Sequence, residues 1–197
     1  MINTFNSFDQ WIQLKQSELK RNANINQMEK KMNLIIRNVK ITDLEAIVAT
    51  ESRAFDMSEE MTRNDAIGRI ENYPDTFLVA EVDSKVVGHI FGPAANVEFI
   101  RDEMYFKNHP NHPNDKYQMI LSIAVDENYR ERGIATALMN EFEKIARQAG
   151  RQELSLTCYP KLFSFYEKLG FVNKGKTDDD IPDPDNESSY NMIKILR

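Results

Sequence analysis

Cysteine, histidine and tryptophan are scarce in this 197-residue chain, which has one cysteine, three histidines and one tryptophan. A lone cysteine, Cys158, cannot close an internal disulfide, and three histidines without ligand spacing leave no pattern for a metal centre. Positive charge is in deficit too: 25 Lys and Arg face 31 Asp and Glu, a formal net charge of −6. Nucleic-acid binders concentrate an excess of basic side chains on one face, so this balance excludes a broad phosphate-binding surface and nucleic acid as partner. No apolar run approaches the roughly 18 residues of a membrane helix, and residues 1–10 lack the apolar core of a signal peptide. The expectation is a cytoplasmic protein without a membrane partner.

What remains is an ordinary globular composition, 41% hydrophobic and 28% charged. The length suits one domain of about 100–200 residues with an appendage. Residues 1–31 are polar, with Phe8, Trp11 and Ile12 as a thin apolar stripe. They read as an N-terminal helical extension, resting on its own domain or on a second copy of the chain in a homodimer. Residues 32–197 form the domain proper.

Within that domain, Leu34 to Val39 reads as a strand. Thr42 and Glu45 have the spacing of a capping box, and Ser58-Glu59-Glu60 opens a second helix that ends before Pro74. Residues 76–82 and 85–91 are β-rich runs around Asp83-Ser84, a hairpin. Residues 92–116, with three prolines, read as a long loop of the kind that borders substrate pockets. Residues 117–125 are apolar at most positions, as in a central strand covered on both faces. Ile134, Leu138, Phe142, Ile145 and Ala149 mark one face of a helix that stops at Gly150. Residues 154–158 alternate as a strand, Pro160 opens a short helix closed at Gly170, and two strands follow around an acidic loop at 177–189.

The chemistry concentrates between the central strand and the long helix, in Asp126-Glu127-Asn128-Tyr129-Arg130-Glu131-Arg132-Gly133-Ile134-Ala135-Thr136. A helix start leaves about four N–H groups without partners and carries partial positive charge, which suits phosphate. Gly133 and the small Ala135 let a diphosphate approach the backbone, and Arg130 and Arg132 can add charge-assisted bonds. The same residues also fit a plain strand-to-helix turn with solvated arginines.

Arg130-x-x-Gly133-x-Ala135, preceded by the strand Leu121 to Val125, resembles the Arg/Gln-x-x-Gly-x-Gly/Ala motif of the GNAT N-acetyltransferases. Phe165-Tyr166-Glu167-Lys168-Leu169-Gly170-Phe171 resembles the family's Phe-Tyr-x-x-x-Gly-Phe segment, at the expected separation. The resemblance runs from residue 33 to the end. It implies an α/β (α+β) fold: a mixed sheet of six to seven strands with a splayed central strand, flanked by about four helices. It further implies acetyl-coenzyme A as co-substrate, with no metal, and direct transfer of the acetyl group to an amine through a ternary complex. Ile123, Ala124 and Val125 would hold the pantetheine arm. Arg130, Glu131, Arg132, Gly133, Ile134, Ala135 and Thr136 would hold the diphosphate, and Tyr166 would be the general acid. The backbone N–H of Val125 is the expected support for the oxyanion.

Within the family the chain looks most like the arylalkylamine (serotonin) N-acetyltransferases, on Glu51 to Phe55, the hairpin from Phe77 to Gly88, and Cys158 ahead of Phe165-Tyr166. That likeness implies the primary amine of a small molecule as acceptor. The alternatives are a protein Nα- or lysine amine, or a non-catalytic acyl-coenzyme A-binding regulatory module. Vertebrate members of the branch carry two histidines on the central strand where this chain has Met119 and Leu121, so the base must come from elsewhere. The candidates are Glu51, Asp56, Glu59, Glu60, His109 and His112, each of which also fits a solvated surface. Cys158, with no adjacent histidine, reads as a small buried hydrophobe. Met57, Met61 and Met104 are core filler or the lining of an apolar acceptor pocket.

Overall fold

The computed structural model describes residues 15–17, 32–177 and 188–196. Of the expected N-terminal extension only 15–17 are described, in helical conformation, and most of the acidic loop lies outside the described residues.

Strand β1 (Leu34–Asn38) leads into a 3-10 turn, Ile41–Asp43, and then helix α1 (Leu44–Phe55). The expected Thr42/Glu45 capping box is displaced by two residues, to Lys40 and Asp43. The Asp43 carboxylate accepts the Lys40 N–H at 2.8 Å and is gripped by Arg37 of β1 at 2.8 and 2.9 Å. Because Arg37 draws Asp43 inward, the chain tightens before the α-helix begins. Helix α2 (Glu59–Asn72) starts as read, with the Ser58 hydroxyl accepting the Met61 N–H.

Strands β2 (Phe77–Val82) and β3 (Lys85–Phe91) form the hairpin, with Asp83 and Ser84 both at positive φ, 48° and 67°. Its register slips between Ala80 and Glu81, leaving Val87 as a bulged residue. The carbonyl of Val87 accepts the N–H of Asp126 at 2.8 Å, which ties the bulge to the end of the central strand. The long loop contains a two-residue strand, β4 (Ala94–Ala95), and one helical turn, α3 (Glu103–Phe106).

The central segment is two strands, β5 (Tyr117–Ile120) and β6 (Ser122–Val125), separated at Leu121. Helix α4 (Ile134–Gln148) follows, then β7 (Glu153–Cys158), α5 (Phe163–Lys168), β8 (Val172–Lys176) and β9 (Tyr190–Ile195). The strands fall into a four-stranded sheet, β1-β2-β3-β6, and a five-stranded sheet, β4-β5-β7-β9-β8. The strand count exceeds six to seven because the central strand serves both sheets under two labels and β4 is minimal.

Helix α4 buries Ile134, Leu138, Met139, Phe142 and Ala146 against Leu78, Ala80, Val82 and Ile90 of the first sheet and Leu154 and Leu156 of the second. Burying one such side chain contributes about 1.5–3 kcal/mol, so this helix both welds the sheets and fixes its own N-terminus at the seam. Helices α1 and α2 cover the opposite face of the first sheet through Ile47, Ala66, Tyr73, Phe77, Val79 and Phe91. Among the described residues no helix is long and apolar enough to cross a membrane.

Candidate active site where two strands part

The parting of the strands has a traceable cause. β5 pairs in parallel with β7 from Tyr117 opposite Glu153 to Ile120 opposite Leu156. Beyond Ile120 the chain changes partner: the Leu121 N–H bonds the Phe91 carbonyl at 2.9 Å, and β6 runs antiparallel to β3. Gly92, just past β3, permits this, since it packs directly on the carbonyl of Met119. The Gln118 side chain donates to the Gly92 carbonyl at 2.7 Å and locks the crossing.

β6 is thus the edge of the first sheet, while Thr157 and Cys158 of β7 pair on one side only, with β9. Two strand edges face each other across a wedge without pairing. Their outward backbone groups need water or a ligand with amide groups of its own. Ile123, Ala124 and Val125 lie on one of these edges.

β6 delivers the chain into the motif turn. Asp126 accepts the Asn128 N–H at 2.9 Å and caps a 3-10 turn, Glu127–Tyr129. Glu131 and Gly133 both take left-handed conformations, φ 61° and 82°, and Gly133 is the N-cap of α4. Glycine has no side chain to cap with, so Gly133 offers no side-chain acceptor to the N–H groups of the first turn, Ile134, Ala135 and Thr136. Arg130 donates through Nε to the Val125 carbonyl at 3.2 Å, and Arg132 to the Asn128 carbonyl at 2.9 Å while lying over the Tyr129 ring. These bonds anchor both arginines beside the helix start and leave their side chains exposed. An uncapped helix start, a glycine and two anchored guanidinium groups fit a diphosphate.

Tyr166, on α5, is buried at 5% exposure. Its ring packs edge-on to Phe165 and Phe171, in the apolar cluster that also holds Cys158, Ile134 and Leu138. Burial, with a smaller effect from Cys158, raises its hydroxyl well above the ordinary tyrosine value, so it stays protonated at any physiological pH. Burial pushes the Cys158 thiol up to about 11, which makes it a poor nucleophile, and its Sγ faces the Met192 sulfur at 3.3 Å.

The base candidates separate sharply. Asp56, Glu59, Glu60 and His112 are exposed, and His109 is half-buried with a long 3.3 Å contact to the adjacent Pro110 carbonyl. Only Glu51 reaches the sheet. Its Oε2 accepts the Ser122 hydroxyl at 2.8 Å and lies 2.7 Å from Nε2 of His89. Burial alone would raise the Glu51 carboxyl, but His89, the hydrogen bonds and Arg69 outweigh it and hold the group below the ordinary carboxylate range.

His89, Ser122 and Tyr105 escaped the sequence reading. His89 sits between apolar residues in mid-strand, and a polar group at such a position requires a buried partner, which was the available signal. Tyr105, from α3 in the long loop, places its hydroxyl 3.4 Å from Thr157 Oγ1, while its carbonyl accepts from Arg69 at 3.3 Å. Together with Met104 it packs on Met119 and Leu121 at the strand break, so that side of the wedge is apolar.

Comparison with known proteins agrees with this architecture. Residues 41–171 match the model of the acetyltransferase (GNAT) family. The chain is 32% identical over 142 residues to an N-alpha-acetyltransferase of Sulfurisphaera tokodaii, spanning 69% of this chain and 78% of the relative. It is 28% identical over 178 residues to an N-alpha-acetyltransferase of Saccharolobus solfataricus, spanning 85% and 96%. The crystal structure of Ard1 from Thermoplasma volcanium superposes with a TM-score of 0.65 at 23% identity, over 83% of this chain and 98% of that one. The wedge, the uncapped helix start and these matches converge: the chain belongs to the GNAT family of N-acetyltransferases.

Proposed function

We propose that this acetyltransferase acts on the α-amine at the start of a polypeptide chain, with acetyl-coenzyme A as donor. Acetyl-coenzyme A supplies the acetyl group as a thioester. The edge of β6 at Ile123, Ala124 and Val125 would pair with the amides of its pantetheine arm. Arg130, Glu131, Arg132, Gly133, Ile134, Ala135 and Thr136 would hold its diphosphate through backbone N–H groups, with the two guanidinium groups adding charge. Tyr166 holds a proton on its hydroxyl, available to the departing sulfur.

The acceptor follows from what lines the strand break. Met104, Met119 and Leu121 offer no base where the amine would meet the wedge, and Glu51, the one candidate that reaches the sheet, is buried with its Oε2 already taken by Ser122 and His89. An α-amine with a pKa near 8 is about one-tenth neutral at pH 7, whereas an alkylamine near 10.4 is neutral in only about 1 molecule in 2,500. A wedge without an adjacent base therefore favours the α-amine by a factor of about 250 over a lysine or an arylalkylamine. The names of the two relatives point to the same acceptor. The likeness to the arylalkylamine branch rests on short segments and lacks the two strand histidines that would serve an alkylamine.

The apolar break carries the choice of acceptor. Its test is a competition assay with acetyl-coenzyme A, a peptide bearing a free α-amine and an internal lysine, and tryptamine, with mass spectrometry to place the acetyl group. The expected product is acetylated at the α-amine. Acetylation confined to lysine or tryptamine would overturn the choice of acceptor, and coenzyme A binding without any transfer would support the regulatory alternative instead.

A further inference from the structure

We propose that Glu51 is a positioning residue of the wedge, setting through Ser122 the angle at which β6 departs from β7. The inference rests on β6 being the strand that holds coenzyme A.

β6 is unusual in how little holds it. It has a strand partner on one edge only, β3, and its Ile123 and Val125 pack on the apolar cluster beneath α4. Its first residue, where the chain has just left β5, meets β3 only at the last pair of that ladder, opposite Phe91. Ser122 is that residue, and its hydroxyl is bound by Glu51 of α1, 71 positions earlier in sequence.

The same carboxylate oxygen takes His89, which lies opposite Ala124 in the β3–β6 register. One oxygen therefore grips β6 itself and the neighbouring strand two pairs along, as a staple across the ladder. Glu51 is 5% exposed and His89 is fully buried, so water does not compete for these bonds. Burying a carboxylate costs free energy, and satisfying His89 alone would not require a serine on β6. A bond from α1 to the first residue after the break is what a fixed opening needs. Glu51 acts at a distance from the thioester, through Ser122 and the strand.

The test uses the full chain, with coenzyme A affinity by titration calorimetry, steady-state kinetics and thermal melting for Ser122→Ala, Glu51→Ala and Glu51→Gln. Ser122→Ala deletes one hydroxyl and should fold. It is expected to weaken coenzyme A binding severalfold and to lower kcat about tenfold to a hundredfold, the effect of a small misplacement, with the acceptor KM within about twofold of wild type. Glu51→Gln keeps an oxygen that can accept both donors and is expected to recover most of what Glu51→Ala loses. Ser122→Ala with wild-type coenzyme A affinity and kcat would overturn the proposal, whatever its melting temperature. So would Glu51→Gln as impaired as Glu51→Ala, which would mean that charge and not geometry matters. A wild-type chain that fails to bind coenzyme A would instead overturn the reading of the wedge.

Discussion

Gly92 packs so closely on Met119 that a Cβ at Gly92 would lie 2.1 Å from the Met119 carbonyl oxygen. The obstacle is backbone, which cannot rotate aside. Gly92→Ala must push β3 away from β5 at the crossing that creates the wedge. Overpacking of this kind costs about 1–3 kcal/mol. At about 2–4 °C per kcal/mol for a chain of this size, the melting temperature should drop by several degrees, with coenzyme A affinity falling in parallel. Melting and titration of the variant check both.

Tyr166→Phe removes a hydroxyl and keeps the buried ring. The fold and coenzyme A affinity should survive while kcat falls on the order of a hundredfold, the range for loss of a general acid. Because burial raises the hydroxyl above its usual value of 10, the protonated form that can donate persists through pH 10. The wild-type rate between pH 7 and 10 should therefore show no decline attributable to Tyr166. A decline in that range that disappears in Tyr166→Phe would contradict the assignment.

Cys158, with its thiol pushed up to about 11 by burial, carries no acyl group in this account. Cys158→Ala should retain activity within a few-fold, at a stability cost of about 1 kcal/mol for the lost contacts. Radiolabelled acetyl-coenzyme A should leave no label on denatured wild-type protein.

Asp43 sets an acid limit on stability. Burial would raise its carboxyl, but the two bonds from Arg37 and the Lys40 N–H prevail and lower it below 3.8. A depressed folded-state pKa means stability that is present above about pH 4 and is lost as pH falls through the folded value. Asp43→Asn should be less stable at pH 7 by about 2 kcal/mol, and its stability should vary less than that of wild type below pH 4. Urea titrations at pH 7, 4 and 3 measure the difference.

The parts of the molecule that were legible in sequence are those whose causes are local. Asp83-Ser84 dictates its hairpin, Ser58 its helix start, and Gly133 the left-handed entry to α4, because each acts on its own backbone. The capping box was misplaced by two residues because Arg37, on the preceding strand, holds Asp43. The break at Leu121 does not show within residues 117–125, for which both halves are apolar. It depends on Gly92 packing on the strand from outside, and on the Gln118 side chain of β5 reaching across to the Gly92 carbonyl. Glu51, His89 and Ser122 are 38 and 71 residues apart along the chain, and no periodicity announces a contact of that range. Tyr105 was hidden in a loop whose proline content suggested a pocket border without saying which side chain would reach Thr157.

The most direct measurement of the central claim is a calorimetric titration of coenzyme A into wild type and Gly133→Val. Valine at φ 82° costs about 1–2 kcal/mol and places a side chain over the helix start. Wild type should bind stoichiometrically, and the folded variant should bind at least about tenfold more weakly, corresponding to about 1.4 kcal/mol. Equal affinity in the two proteins would show that the start of α4 does not hold the diphosphate, and the account of this site would be wrong.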